Sequence, residues 1–185
     1  MRVDSSHHAG RPRTKKMPIY AIDMGEGEGS PTYSATTASG VSPSWRFDAG
    51  GRDGVTCDIV VPTDRLPGED LKFWFYYAPA AAGGAGNVLW GIDYVLYPDN
   101  MYHSGLGLNP ARTIRLLPPE TAPFGVVIKR SNTSVSIPGR DLDGVGQIQM
   151  QFIRPEDLAE DTDGRNMYLF KVVVEYLGSD QPRFD

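Results

Sequence analysis

The chain has 185 residues, 40% of them apolar, which is enough for one domain with an appendage. Its net charge of −5 argues against nucleic acid as the main ligand of the body, because such binders need a basic face to displace counterions. The single cysteine, Cys57, excludes an internal disulfide and a thiolate metal cluster, so the fold must stand on its own core.

Residues 1–44 are rich in Gly, Ser, Thr, Pro and charge. Arg2, Arg11, Arg13, Lys15 and Lys16 face one acid, Asp4, in the first 16 residues, and residues 17–44 hold only acids. The one apolar cluster there is Ile19, Tyr20, Ile22 and Met24. Such a stretch cannot offset an ordering cost of roughly 1–2 kcal/mol per residue alone, so it is expected to be an extended N-terminal arm, ordered by a neighbouring subunit or, as the alternative, by folding back on its own domain.

From Trp45 the pattern turns to period two, the mark of half-buried strands. Val55, Cys57, Ile59 and Val61 alternate up to Pro62, and Leu71, Phe73, Phe75 and Tyr77 alternate with Lys72, Trp74 and Tyr76. Ala78 to Gly86 reads as a flexible loop. Val88, Trp90, Ile92, Tyr94 and Leu96 form the next one-faced series, and Pro98 to Pro110 the next loop. Shorter strands are expected over Thr113–Leu117, Phe124–Ile128 and Thr133–Ile137. Ile148, Met150 and Phe152 alternate with three glutamines, and Pro155 closes that strand. Asp163-Gly164 reads as a tight turn. Tyr168 to Leu177 is the last strand, apolar on both faces, before a polar tail over 179–185.

About eight strands, no helix beyond a turn or two and no fixed repeat predict an all-β protein. The expected architecture is an antiparallel two-sheet jelly-roll sandwich over residues 45–178. An immunoglobulin-like sandwich is the second choice, disfavoured by the absence of a Cys–Trp–Cys pattern. No run of 18 apolar residues exists, and the basic N-terminus lacks the apolar stretch of a secretory signal. Synthesis in the cytoplasm, without membrane association, is therefore expected.

The inventory for catalysis is thin. Of three histidines, only His103 lies in the body, in a loop, and no Gly-x-Ser-x-Gly elbow is present. No paired zinc-ligand spacing occurs, and no cofactor is expected. Asp58 and Asp93 sit mid-strand opposite the apolar series, on the solvent side, as the candidates for a carboxylate pair. Asp161-Thr162-Asp163-Gly164 and Asp141-Leu142-Asp143-Gly144 resemble fragments of calcium loops but lack the bidentate Glu, and Asp-Gly is ordinary turn chemistry. The chain is expected not to be an enzyme.

Trp74 and Tyr76 oppose Phe73, Phe75 and Tyr77, so this strand is bulky on both faces, as a covered or partner-facing strand is. Together with the arm residues Arg11, Arg13, Lys15, Lys16, Ile19, Tyr20 and Ile22, Trp74 and Tyr76 are the candidate partner-binding residues.

Gly54-Val55, Val60-Val61-Pro62-Thr63-Asp64, Gly68-Glu69-Asp70-Leu71, Gly86-Asn87-Val88-Leu89-Trp90 and Val172-Val173-Val174-Glu175-Tyr176 together resemble small β-sandwich virion proteins of tailed bacteriophages. These are head decoration (cement) proteins and tail-associated jelly rolls, and the resemblance spans about residues 45–177. It implies a trimeric or multimeric jelly roll in the virion, clamping major capsid protein subunits, often by an N-terminal arm. It carries over no catalytic residue. The alternative expectation is a carbohydrate- or receptor-binding module of a tail fibre, which would need Trp74, Trp90, Tyr94 or Tyr102 as an exposed platform.

Overall fold

A computed structural model describes residues 12–29, 31–35, 42–84, 86–98, 112–155 and 158–179. Along the chain come β1 (Arg13–Tyr20), β2 (Gly25–Glu26), β3 (Thr32–Ser34), β4 (Ser44–Phe47), β5 (Arg52–Val60), β6 (Gly68–Pro79) and β7 (Asn87–Val88). Then follow β8 (Gly91–Pro98), β9 (Thr113–Leu116), β10 (Glu120–Thr121), β11 (Lys129–Arg130), β12 (Val135–Gly139), β13 (Val145–Pro155) and β14 (Met167–Gly178). Seven strands form one sheet in the order β11-β6-β14-β4-β3, with β12 also on β6 and β1 also on β14. Five form the other, in the order β2-β5-β13-β8-β9, and β7 and β10 make a short ribbon. The pairings are antiparallel, so the expected jelly-roll sandwich is the fold.

The core lies where the two inner faces meet. Leu71, Phe73, Phe75 and Tyr77 of β6 and Val172 and Val174 of β14 are buried from one sheet. Val55, Cys57 and Ile59 of β5, Ile148, Met150 and Phe152 of β13 and Ile92 and Tyr94 of β8 are buried from the other. Trp90 is fully buried, stacked on Phe75 at 5.5 Å and edge-on to Phe47 at 5.1 Å. Each such side chain stabilises the fold by roughly 1.5–3 kcal/mol.

Several sequence expectations change. The Val88–Leu96 series is broken at Leu89-Trp90 into β7 and β8. Phe124–Ile128 alternates but forms no strand; it is an exposed loop before β11. The last strand is apolar on both faces because of a bulge between Leu169 and Lys171. Met167 and Leu169 face the core before the bulge, Val172 and Val174 after it. One extra residue exchanges the two faces, so a single buried face reads as two.

The largest change concerns the segment expected as an arm. Residues 1–11 lie outside the described residues, but β1 pairs with β14 over eight residues, from Arg13↔Gly178 to Tyr20↔Lys171. Ile19, Ala21 and Met24 are buried in the core, and β2 joins the opposite sheet through β5. The Trp45 indole N–H donates to the Ala21 carbonyl at 2.9 Å. Residues 13–26, 32–34 and 44 of that segment are therefore part of the sandwich; residues 30, 36–41 and the tail over 180–185 lie outside the described residues. The start of β1 is fastened by Lys15, whose ammonium donates to Asp64 at 2.5 Å and to the Ser179 carbonyl at 2.7 Å. Tyr176 also donates to Asp64, at 3.1 Å. Burial alone would raise the Asp64 pKa, but the hydrogen bonds from Lys15 and Tyr176 and the Lys15 charge outweigh it and hold it low.

A buried ion pair ties the sheets together at one end. Arg154, on β13, is fully buried and holds Asp161 with two hydrogen bonds, at 3.1 and 3.0 Å. Its remaining donors reach the carbonyls of Asp163, at 2.5 Å, and Arg165, at 2.7 Å. Asp161 also accepts from the Leu89 amide at 3.0 Å. The loop leading into β14 is thus stapled to β13 and to the start of the Leu89-Trp90 break. Gly86 lets the two backbones meet, since a Cβ there would lie 2.3 Å from the Asp163 Cα.

Three outcomes follow. Deleting residues 1–24 removes the β14 partner strand and three core side chains, and should cost about 3–6 kcal/mol, read as a lower urea midpoint; an unchanged midpoint would restore the arm reading. Arg154→Met strands Asp161 and should cost about 3–5 kcal/mol, most of it recovered in Arg154→Met/Asp161→Leu. Because the Asp64 pKa is lowered on folding, its contribution is fully present above the ordinary Asp range and is lost as pH falls below that range through the lowered pKa of the folded chain. Lys15→Met should shrink that acid-side loss in thermal melts run across the acidic range.

Candidate functional site

Three outward surfaces differ in chemistry. On the seven-stranded sheet, strand register sets Arg130, Tyr76, Lys171 and Tyr20 side by side across β11, β6, β14 and β1. The next outward row is Trp74, Val173 and Pro18, and the next Lys72, Glu175 and Lys16. Arg130 lies over the Trp74 ring at 4.2 Å, and Lys171 lies 4.6 Å from the Tyr76 ring centre and 5.9 Å from that of Tyr20. Each such stack is worth about 0.5–1 kcal/mol at an exposed site. These rows hold four cations and one acid, Glu175, on a chain whose net charge is −5. The face is a cation–aromatic surface.

Of the residues singled out in the sequence, Lys16, Tyr20, Trp74 and Tyr76 meet on this face. Ile19 points inward into the core, and Lys15 is engaged by Asp64. Arg13 is exposed at the start of β1, and Ile22 is exposed in the turn after it. Arg11 lies outside the described residues. Sequence reasoning missed Arg130 and Lys171. Lys171 interrupts an apolar strand and could have been noticed; Arg130 belongs to a two-residue strand with no periodic signal.

The second surface is an apolar tip. Phe124, Val126, Val127 and Ile128 are 74%, 54%, 63% and 45% exposed. The loop that bears them is held from behind: the Phe124 carbonyl accepts from the Gly83 amide at 2.8 Å and from Arg165 at 3.5 Å. Arg165 also donates to the Ala81 carbonyl at 3.2 Å and is clamped by Asp163 at 2.8 and 2.6 Å. Its hydrogen bond to Asp163 raises the Arg165 pKa further. Burial would raise the Asp163 pKa, but the hydrogen bonds and charge of Arg165 hold it low.

The third surface is the outer face of the five-stranded sheet, where Gln147, Gln149 and Gln151 line up on β13. Asp58 and Asp93 both lie on this face, as the alternation requires. They sit two strands and two residues apart, about 12 Å by strand spacing, wider than the 6.5–9.5 Å range of a carboxylate pair. Asp93 is buried beneath Arg112, at 2.5 Å, and Arg52, at 3.3 Å. The calcium-loop fragments are likewise occupied by the chain's own cations: Asp161 and Asp163 by Arg154 and Arg165, Asp141 by Arg115, and Asp143 by Arg65. Among the described residues, no group of three or more His, Cys, Asp or Glu is placed to hold a metal ion.

Burial, then the nearby Asp58 charge, pushes the Cys57 thiol up to about 12, so it is not a nucleophile near neutral pH. Trp90 and Tyr94 are buried and Trp74 lies half-buried under Arg130, so they do not form an open aromatic platform. His103 and Tyr102 lie outside the described residues. No helix among the described residues is long and apolar enough to cross a membrane.

No family model matches the chain, and no curated protein matches it. Solved structures of similar fold include the carbohydrate-binding and xylanase modules of a Clostridium thermocellum endo-1,4-β-D-xylanase, solved with xylohexaose. That match has a TM-score of 0.50 at 7% identity and covers 90% of this chain and 28% of the other. The C-terminal family 22 carbohydrate-binding module of the same enzyme matches with a TM-score of 0.45 at 14% identity, covering 88% and 89%. A chain of infectious bursal disease virus, Gx strain, matches with a TM-score of 0.42 at 11% identity, covering 98% of this chain and 37% of the viral one. At these identities the likeness is one of fold alone: an antiparallel β-sandwich of the jelly-roll kind.

Proposed function

We propose that this chain is a non-enzymatic structural protein of a virus particle, a decoration or cement protein that assembles with itself and with a major capsid protein. The observation that carries this reading is the apolar tip, Phe124 to Ile128, exposed yet fixed by Arg165 and Gly83. Large apolar side chains left in water lower the free energy when a partner covers them, and a contiguous exposed group is the mark of a contact surface. A tip repeated around a symmetry axis closes a ring, and the trimer is the form proposed.

The cation–aromatic face supplies the second contact. Its cations lie on aromatic rings, where they keep their charge and lose part of their hydration, so they suit an acidic protein surface. On a symmetric particle each weak contact repeats, and the sum holds by avidity. The non-enzymatic reading is supported by the paired state of Asp93, the spacing of Asp58 from it and the protonated Cys57.

Sedimentation velocity over a concentration series tests the reading. The native chain should sediment as a closed oligomer. Phe124→Ser/Val127→Asp should sediment as a monomer with a melting temperature within a few degrees of native, since these side chains touch no core. A native chain that stays monomeric throughout, or a variant that assembles like it, overturns the self-assembly claim.

A further inference from the structure

The outer face of the five-stranded sheet differs in chemistry from both of these surfaces. Gln147, Gln149 and Gln151 stand at alternate positions of β13. β5 sets Asp58 beside Gln149 and Thr56 beside Gln151. On the other flank, β8 sets Tyr97 beside Gln147 and Val95 beside Gln149. The patch is about 10 Å wide and 14 Å long by strand spacing. None of these residues is Lys or Arg, in contrast to the opposite face of the sandwich.

A glutamine amide carries two donors and an acceptor in one plane, and Asp58 adds a carboxylate acceptor. The Tyr97 hydroxyl donates to the Gln149 side-chain oxygen at 3.2 Å, which turns the Gln149 donors away from Tyr97. The Gln151 side-chain oxygen is buried and accepts no hydrogen bond. At the end of the patch Arg52, Arg112, Asp93 and Glu28 pair with one another, two cations with two acids, and add hydrogen-bonding capacity without net charge.

This chemistry discriminates between classes of partner. An anionic chain would find no net positive charge to displace its counterions. An apolar protein surface would have to bury a row of amides without partners, at a desolvation cost for each. A neutral chain rich in hydroxyls satisfies amides and carboxylate together, and lays its C–H faces on Val95 and the Tyr97 ring. We infer that this face is a binding site for a neutral glycan, distinct from the apolar tip and the cation–aromatic face. It goes beyond the assembly reading, and would let a particle protein hold the particle on a polysaccharide surface.

The test is binding of the full native chain to an array of immobilised neutral and uronic-acid oligosaccharides, with xylohexaose, cellohexaose and maltohexaose titrated in solution by calorimetry. Binding should be to neutral glycans and insensitive to salt. It should weaken roughly tenfold or more in Gln149→Ala and in Tyr97→Ala and stay unchanged in Lys171→Ala, on the opposite sheet. Gln149→Ala should sediment like the native chain, so failure here is separable from failure of the assembly reading. Three results overturn the site: no neutral glycan bound, binding to acidic glycans alone and lost in Lys171→Ala, or neutral binding that Gln149→Ala and Tyr97→Ala both leave intact.

Discussion

Arg154 is the constraint on which the rest hangs. A fully buried guanidinium carries a desolvation cost of several kcal/mol, and only a complete set of acceptors offsets it. Here Asp161 supplies two and the carbonyls of Asp163 and Arg165 supply two more. Meeting that demand fixes the loop between β13 and β14, and so fixes how one sheet hands the chain to the other. The consequences reach the surface: with Asp163 in place, its carboxylate clamps Arg165, and Arg165 holds the Phe124 carbonyl. The group that closes one end of the sandwich thereby also presents the apolar tip.

Among the described residues, many acids are already engaged by the chain's own cations. Asp161, Asp163, Asp93, Asp141 and Asp143 each face an arginine. Turn motifs that look like metal loops in sequence are, in three dimensions, the anchors of ion pairs. What remains at the surface is sorted by sheet: cations on aromatic rings on one side, amides on the other, apolar side chains at the tip. A net charge of −5 conceals this sorting, because charge summed over a chain says nothing of which face carries it.

Much of the fold was legible in the sequence. Period-two alternation marked β5, β6 and β13 and assigned their inner faces correctly, because these strands each bury one side without interruption. It failed where geometry breaks the period. The bulge in β14 swaps faces in mid-strand. Phe124, Val126 and Ile128 alternate with no partner strand to pair them. In β1 the inward series is Lys15, Met17 and Ile19, too polar to announce a strand, and its place was made by the uncovered edge of β14. The cation–aromatic face was half legible, since Trp74 and Tyr76 were visible as outward aromatics, but the Lys171 and Arg130 that cap them come from distant strands.

The apolar tip, Phe124 to Ile128, is the surface proposed to join copies of the chain. Amide hydrogen exchange at residues 122–128, followed in dilute and in concentrated solution, reads that contact where it occurs. Exchange at the tip should slow on concentration, with the outer face of the five-stranded sheet unchanged. Exchange at the tip that is the same at both concentrations would contradict that contact.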